Sequence, residues 1–358
     1  MEGAPAGTVA GEGITAAELR LAARNHGLPL EALRHDLTPP GLHYLLIHYD
    51  IPAVDPETFR LELTGAVERP VELSLPELRG RERVADTITF ECAGNGRALL
   101  EPRPISQPWL TEAVGTAEWG GTRLGPLLDE AGVSETATEL LFTALDTGVE
   151  GGEHQAYERA LPIADAADAL LAYDMNGEPL PSQHGFPLRL VVPRWYGMQN
   201  VKWLTRITVL EEPYSGFQNA VAYRMYDADG EPGEPVTRML PRSLTVPPGV
   251  PDFMTRTRHL EPGRTTLRGR AWSGQAPIER VEVSTDGGAS FAAAVLDPPL
   301  AEHAWRGWSF AWDATAGEHV IASRATDAAG NTQPLDTPWN LKGYANNALE
   351  RITVQVAP

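Results

Sequence analysis

The sequence predicts an α+β protein in two parts, a mixed α/β domain followed by an all-β, immunoglobulin-like sandwich. Three observations predict it. The chain has 358 residues, more than one ordinary domain of roughly 100–200 residues holds. Its first part mixes helix-capping signatures with apolar runs of strand length, and its last part consists of short strands separated by Gly/Asp turns.

Composition narrows the function classes. Hydrophobic residues make up 42% of the chain, enough for real cores. The formal net charge of −19 argues against a surface that binds nucleic acid by neutralising phosphates. An anionic substrate must then be collected by a local cationic pocket working against the global field. No apolar run reaches the roughly 18 residues of a membrane span. Residues 1–13 carry no basic n-region, twin arginine or apolar h-region, so the expectation is a cytoplasmic protein, or a periplasmic one if a leader has been removed. With a single cysteine there is no intrachain disulfide and no iron–sulfur ligation.

Taken in order, the Gly- and Ala-rich residues 1–13 are expected to be poorly ordered. Thr15 and Glu18 form a capping-box pair, and Leu19, Ala22 and Ala23 follow at helical spacing until Gly27. Thr38-Pro39-Pro40-Gly41 is a break, which closes an N-terminal extension of residues 1–38. Residues 42–49 and 59–64 read as strands, and Ser74-Leu75-Pro76-Glu77 opens a short capped helix. Residues 88–90 end a β-rich run, and Gly94, Asn95 and Gly96 form a turn.

Cys92 thus sits where a strand gives way to a loop, with Arg97 five residues on. A lone cysteine is most often a small buried apolar residue. These neighbours instead favour a thiolate, the form that binds a soft metal. Trp109 and Trp119 are core tryptophans by default. Residues 140–146 read as a buried strand, with Asp146 capping the turn that follows. Residues 170–180 contain an Asn176-Gly177 turn, and residues 184–193 run from a turn into an apolar strand. Pro213, Gly216, Pro232 and Pro235 make residues 211–235 a polar boundary, giving domains of 39–225 and 226–358. Beyond it, strands are predicted at 267–272, 278–284, 308–312, 319–325 and 351–356, with a turn at Asp286-Gly287-Gly288.

Phe90-Glu91-Cys92-Ala93-Gly94-Asn95-Gly96-Arg97 resembles the molybdenum-ligand motif of the sulfite oxidase family. Its companions follow in order. They are Gly115-Thr116-Ala117-Glu118-Trp119, the block from Leu170 to Gly177, His184-Gly185-Phe186-Pro187-Leu188-Arg189 and Val201-Lys202-Trp203. The resemblance implies a sulfite-oxidase-type molybdopterin-binding domain and an Ig-like dimerisation domain, the latter including Trp305-Arg306-Gly307-Trp308 and Pro338-Trp339-Asn340. It puts Cys92 on molybdenum beside a pyranopterin dithiolene. His48, within His48-Tyr49-Asp50-Ile51-Pro52, and Asp146, His184, Arg189 and Lys202 would contact the pterin and its phosphate. Trp109 would wall the substrate pocket, Tyr173 would face the metal, and Arg97 and Arg306 would hold a small oxyanion.

The pattern breaks in two places. Leu46 stands where animal and plant members carry an arginine, and Arg194 stands where the family usually has glycine. Arg194 either restores the missing charge or is merely exposed. No haem-attachment Cys-x-x-Cys-His and no His-Pro-Gly-Gly are present, so the resemblance is to a haem-free bacterial type whose electrons leave to a separate protein such as a cytochrome. The resemblance implies a homodimer that oxidises sulfite to sulfate. Two rival expectations are reduction of an S- or N-oxide or nitrate, favoured by Leu46, and a non-catalytic binding protein that would contain no molybdenum.

Overall fold

A computed structural model describes residues 13–166 and 168–358. The expectation for residues 1–12 lies outside them. Helix α1 (Ala16–Ala22) is closed at its start by the predicted capping box: Thr15 accepts from the Glu18 N–H, and Glu18 accepts from the Thr15 N–H at 2.8 Å. Residues 42–49 do not form the predicted strand. Their backbone groups are taken by side chains before a ladder can use them: the Ile47 N–H donates to Asn25 at 2.7 Å, and the Leu46 carbonyl accepts from Lys202 Nζ at 2.7 Å. Only an isolated bridge, His26 to Leu45, remains of a strand here.

The mixed domain then follows as β1 (Arg60–Gly65), β2 (Val71–Ser74), α2 (Leu75–Arg79), β3 (Val84–Glu91), β4 (Val114–Arg123) and α3 (Gly125–Ala131). After these come β5 (Glu139–Glu150), β6 (Glu153–Pro162), β7 (Leu170–Met175), β8 (Glu178–Pro179), β9 (Arg189–Val191) and β10 (Leu204–Leu210). Helix α2 starts with the second predicted capping box, Ser74 with Glu77. One sheet has the order β2-β1-β10-β5-β6, in which β1 and β10 run parallel. The other has the order β3-β4-β7-β8, with β9 also paired to β7. Strand β4 is buried along nearly its whole length, as a strand covered on both faces must be. A core of Ile88, Phe90, Trp119, Leu170, Ala172 and Val191 lies on the side of this second sheet that carries Cys92.

The remaining chain is a β-sandwich. A four-stranded sheet contains Arg242–Thr245, Gly263–Trp272, Arg306–Ala314 and Val295–Leu296. The facing six-stranded sheet is centred on Gly317–Asp327, Ile352–Val356 and Ile278–Ser284. Trp308, Val281, Ile321 and Val354 fill the space between them. The predicted strands of this half all exist, most of them longer than expected.

The sandwich grips the cysteine loop. The Thr89 N–H donates to the His303 carbonyl at 3.0 Å, the Ala345 N–H to Ala93 at 2.8 Å, and Asn346 Nδ2 to Gly96 at 2.7 Å. Glu91 takes Arg242 Nη1 on one oxygen and the Trp272 indole N–H on the other, both at 2.9 Å.

Candidate active site

Cys92 follows the last residue of β3, and its backbone is fixed by bonds from its N–H to Ala113 and from the Asn95 N–H to its carbonyl. Gly96 has φ +88°, a left-handed conformation that side chains rarely adopt. At Gly94 a Cβ would stand 2.5 Å from Arg97 Nη2, so the glycine is what lets the guanidinium fold back across the loop. Asn95 locks the turn, donating to Glu91 and to the Thr111 carbonyl and accepting from the Ala113 N–H.

Burial pushes the Cys92 thiol up; Arg97, the Gly94 backbone and the Trp109 indole pull it the other way without overcoming burial. The sequence-based expectation of a thiolate-favouring setting is therefore corrected. The loop alone holds the thiol up rather than down.

A narrow inner cavity brings together His48, Cys92, Asp146, His184, Arg189 and Lys202. Arg189 donates to the carbonyls of His184 and Asn200, lies 4.6 Å from the Trp119 ring centre, and keeps a buried Nε without a partner. Burial pulls it down to about 10. Lys202 Nζ reaches only carbonyls, Leu46 at 2.7 Å and Gln183 at 3.3 Å; burial and then Arg189 depress it. Burial raises Asp146, against the pull of Lys202. His184 is pushed down to about 2 by burial, then by His43, Arg189 and Lys202, so it is neutral at ordinary pH. His43, 5.5 Å from it centre to centre, is likewise held to about 4 and has an unpartnered buried Nε2. Arg189 and the desolvated Lys202 share this cavity with two neutral imidazoles, His48 and one carboxylate, and among the described residues no anion bonds to Arg189 Nε or Lys202 Nζ.

His48 is committed elsewhere: its Nε2 meets Glu150 at 2.9 Å, and the same carboxylate accepts from Tyr49 and Gln218. Against burial, which raises it, the bonds from His48, Gln218 and Tyr49 hold Glu150 at about 2.

An outer cavity of about 320 Å³ shares Leu46, His48, Cys92 and Tyr223 with the inner one. Arg97 and Trp109 line it. Arg97 is 5% exposed, donates to the carbonyls of Lys342 and Gln107, and sits over the Tyr344 ring.

Three predicted residues lie outside both cavities. Tyr173 alternates with Leu170 and Ala172 on β7, so its ring faces the opposite core, under Arg79 of α2. Arg306 is consumed inside the sandwich by the carbonyls of Asp297 and Ile278. Arg194 pairs with Glu302 at 2.8 Å, with side chains 41% and 71% exposed, and its φ of 74° explains a preference for glycine there. It supplies no charge to the cavities.

The sequence reading passed over Tyr223, which lines both cavities, and over Lys342 and Tyr344, through which the sandwich reaches the outer one. Tyr223 is buried, stacks on Tyr344 and lies beneath Arg159. Lys342 Nζ donates to the carbonyls of Val221 and Ala222, and burial lowers it to about 8. The available signal was a cation beside Gly343 in an Asn-rich loop, closely following Trp339. Among the described residues no group of three or more His, Cys, Asp or Glu could hold a metal ion. No described helix is long and apolar enough to cross a membrane.

Residues 48–218 match the oxidoreductase molybdopterin binding domain, and residues 245–357 match the Mo-co oxidoreductase dimerisation domain. The mitochondrial sulfite oxidase of Homo sapiens is 36% identical over 90% of this chain, which spans 62% of that protein's length. Arabidopsis thaliana sulfite oxidase is 32% identical, with 89% of this chain and 88% of that protein covered. The sulfane dehydrogenase SoxCD of Paracoccus pantotrophus superposes with a TM-score of 0.81 at 27% identity, over 92% of this chain and 84% of the other.

Proposed function

Because this chain belongs to the sulfite oxidase family of molybdopterin-binding oxidoreductases, we propose that its paired cavities hold a molybdenum–molybdopterin cofactor and oxidise a small sulfur oxyanion, sulfite to sulfate. The carrying observation is the position of Cys92, the one thiol, on the wall common to the anion-deficient inner cavity and the outer one.

The residues suit the group. The phosphate of a pterin cofactor is the anion that the unpartnered Arg189 Nε and Lys202 lack, and the neutral His184 and His43 can offer ring N–H or lone pairs without adding charge. Cys92 Sγ would bind the metal, whose charge would favour the thiolate that burial alone disfavours. When bound, the cofactor supplies two-electron oxygen-atom transfer.

The chain's own groups do the positioning. Arg97, held rigidly by two carbonyls and Tyr344, orients the anion, with Lys342 from the sandwich beside it. Tyr223, whose phenol burial raises well above its usual range, stays protonated and can donate a hydrogen bond on the shared wall. Trp109 and Leu46 keep water from that wall. We place the catalytic domain at residues 39–225 and the dimerisation domain at 226–358, with the active species a homodimer that passes electrons singly to a separate cytochrome-type acceptor.

Molybdenum analysis combined with sulfite-dependent reduction of ferricyanide tests this reading. About one molybdenum per chain and sulfite-driven reduction are expected. Metal-free protein, or metal-loaded protein that consumes S- or N-oxides but not sulfite, would overturn it.

A further inference from the structure

The shared wall carries an apolar side chain where positive charge was expected. Leu46 borders both cavities beside Cys92, and no arginine replaces it there, because Arg194 and Arg306 are bound elsewhere. The outer cavity holds two cations, Arg97 and Lys342, and one carboxylate, Glu150, which is itself paired with His48 at 2.9 Å. Glu150 is kept ionised by three donors, so the opposing charge is permanent at neutral pH. Glu150 offsets part of the charge of Arg97 and Lys342, so the cavity is less cationic than its two cations alone would make it, which suits a monoanion better than a dianion.

The remaining walls are apolar. Ile105 and Phe217 are half-buried, and Leu21 and Val149 stand at the rim, 37% and 71% exposed. At about 320 Å³ the cavity reaches the size of small-molecule sites, about 300–1,000 Å³. A four-atom oxyanion, at about 30 Å³ per water-sized unit, together with a metal on the Cys92 side, fills only part of that. The spare space is bounded by surface that gains nothing from a bare ion and gains from a hydrocarbon group.

We propose that the outer cavity takes singly charged organosulfur anions with a small apolar group, organic sulfinates oxidised to sulfonates, in preference to the inorganic dianion. The inference rests on the oxidising reading of the same site. The head group lies against Arg97 on the Cys92 side, and the hydrocarbon lies along Leu46, Ile105 and Phe217. In the net reaction R–SO2− and water give R–SO3−, two protons and two electrons. The sulfur lone pair forms the new S–O bond and sulfur is oxidised. A one-electron acceptor is reduced twice, and both protons leave to solvent.

The test has two arms on the unaltered, molybdenum-containing protein. In the first, methanesulfinate, benzenesulfinate and sulfite are compared as electron donors to ferricyanide. In the second, calorimetry compares binding of sulfate with that of methane- and benzenesulfonate, products that need no turnover. The expected result is at least tenfold higher kcat/KM for benzenesulfinate than for sulfite, and at least tenfold tighter binding of benzenesulfonate than of sulfate. Leu46→Arg should invert the binding order, and Val149→Ser, at the rim, should weaken the aryl ligand severalfold while leaving sulfate unchanged. Sulfite oxidised while sulfinates are inert and sulfonates bind no better than sulfate would overturn the inference and leave sulfite oxidation standing. If no sulfur donor is oxidised, the oxidase reading fails, and the sulfonate-to-sulfate binding ratio still decides what the cavity accepts.

Discussion

Glu91 and Arg242 form a buried ion pair at 2.9 Å between the domains, with side chains 2% and 1% exposed, one residue before the cysteine that the site is built on. Breaking such a pair by removing one partner costs roughly 3–5 kcal/mol, because a charge is left buried alone. Arg242→Met should lower the urea midpoint accordingly and expose Cys92 to thiol reagents. Adding Glu91→Gln should restore much of the loss, since the Trp272 indole keeps an acceptor. Single and double variants equally stable would show that the pair does not join the domains.

Cys92→Ser should leave the fold nearly intact, since the volume change is small, but should abolish molybdenum retention as well as turnover. Metal content and the circular dichroism spectrum check this together. A serine variant that still carries metal and turns over near the parental rate would remove the cysteine from the ligand role.

Arg97→Gln removes a charge-assisted bond to the anion, worth roughly 1.5–3 kcal/mol, or about 10–150-fold in kcat/KM. Arg306→Gln and Arg194→Gly should leave kcat/KM unchanged, because neither side chain reaches a cavity. Arg194→Gly should also hold or raise Tm by relieving the left-handed backbone. A catalytic loss in either variant would return these arginines to the site.

Anion binding should weaken as pH rises through about 8, where burial has brought Lys342 within reach of deprotonation. The sign follows from the charge: the cation is present below that pH and lost above it. A sulfonate probe, which does not itself titrate there, isolates the effect by calorimetry. Lys342→Arg should give a flat profile between pH 7 and about 9.5.

Glu150 titrates at about 2 in the folded chain against an ordinary 4.5. It therefore contributes stability above about pH 4.5, and this is lost as pH falls toward 2. Its side chain is 31% exposed, which discounts the full shift to roughly 1–3 kcal/mol. Glu150→Gln should cost that much at pH 7 in thermal or urea unfolding, with the gap to the parent narrowing below pH 4.5. A gap independent of pH would mean that shape, not charge, is what the variant loses.

Much of this architecture was legible in local pattern. Thr15 with Glu18 and Ser74 with Glu77 announce their helices, because a capping box needs only four consecutive residues. The strands of the sandwich follow from alternation between turns. Residues 42–49 had the apolar pattern of a strand but not the fate of one, since Asn25 and Lys202 claim their backbone from far along the chain. The site divided along the same line. His184, Arg189 and Lys202 occur in dense blocks near one another in sequence, and the structure gathers them. Lys342 sits on a loop of the other domain with no local mark of its partnership with Arg97. Tyr173 was misplaced because facing direction on β7 is set by register, which the resemblance of a sequence block does not display.

The bond from Arg97 Nε to the Lys342 carbonyl spans 245 residues. During synthesis, then, the cysteine loop stands without its far support until residue 342 has emerged, and contacts so distant in sequence are slow to form. Cofactor loading is therefore expected to follow completion of the sandwich, and a ribosome-stalled chain ending before residue 340 should present Cys92 on an unbraced loop that retains no metal.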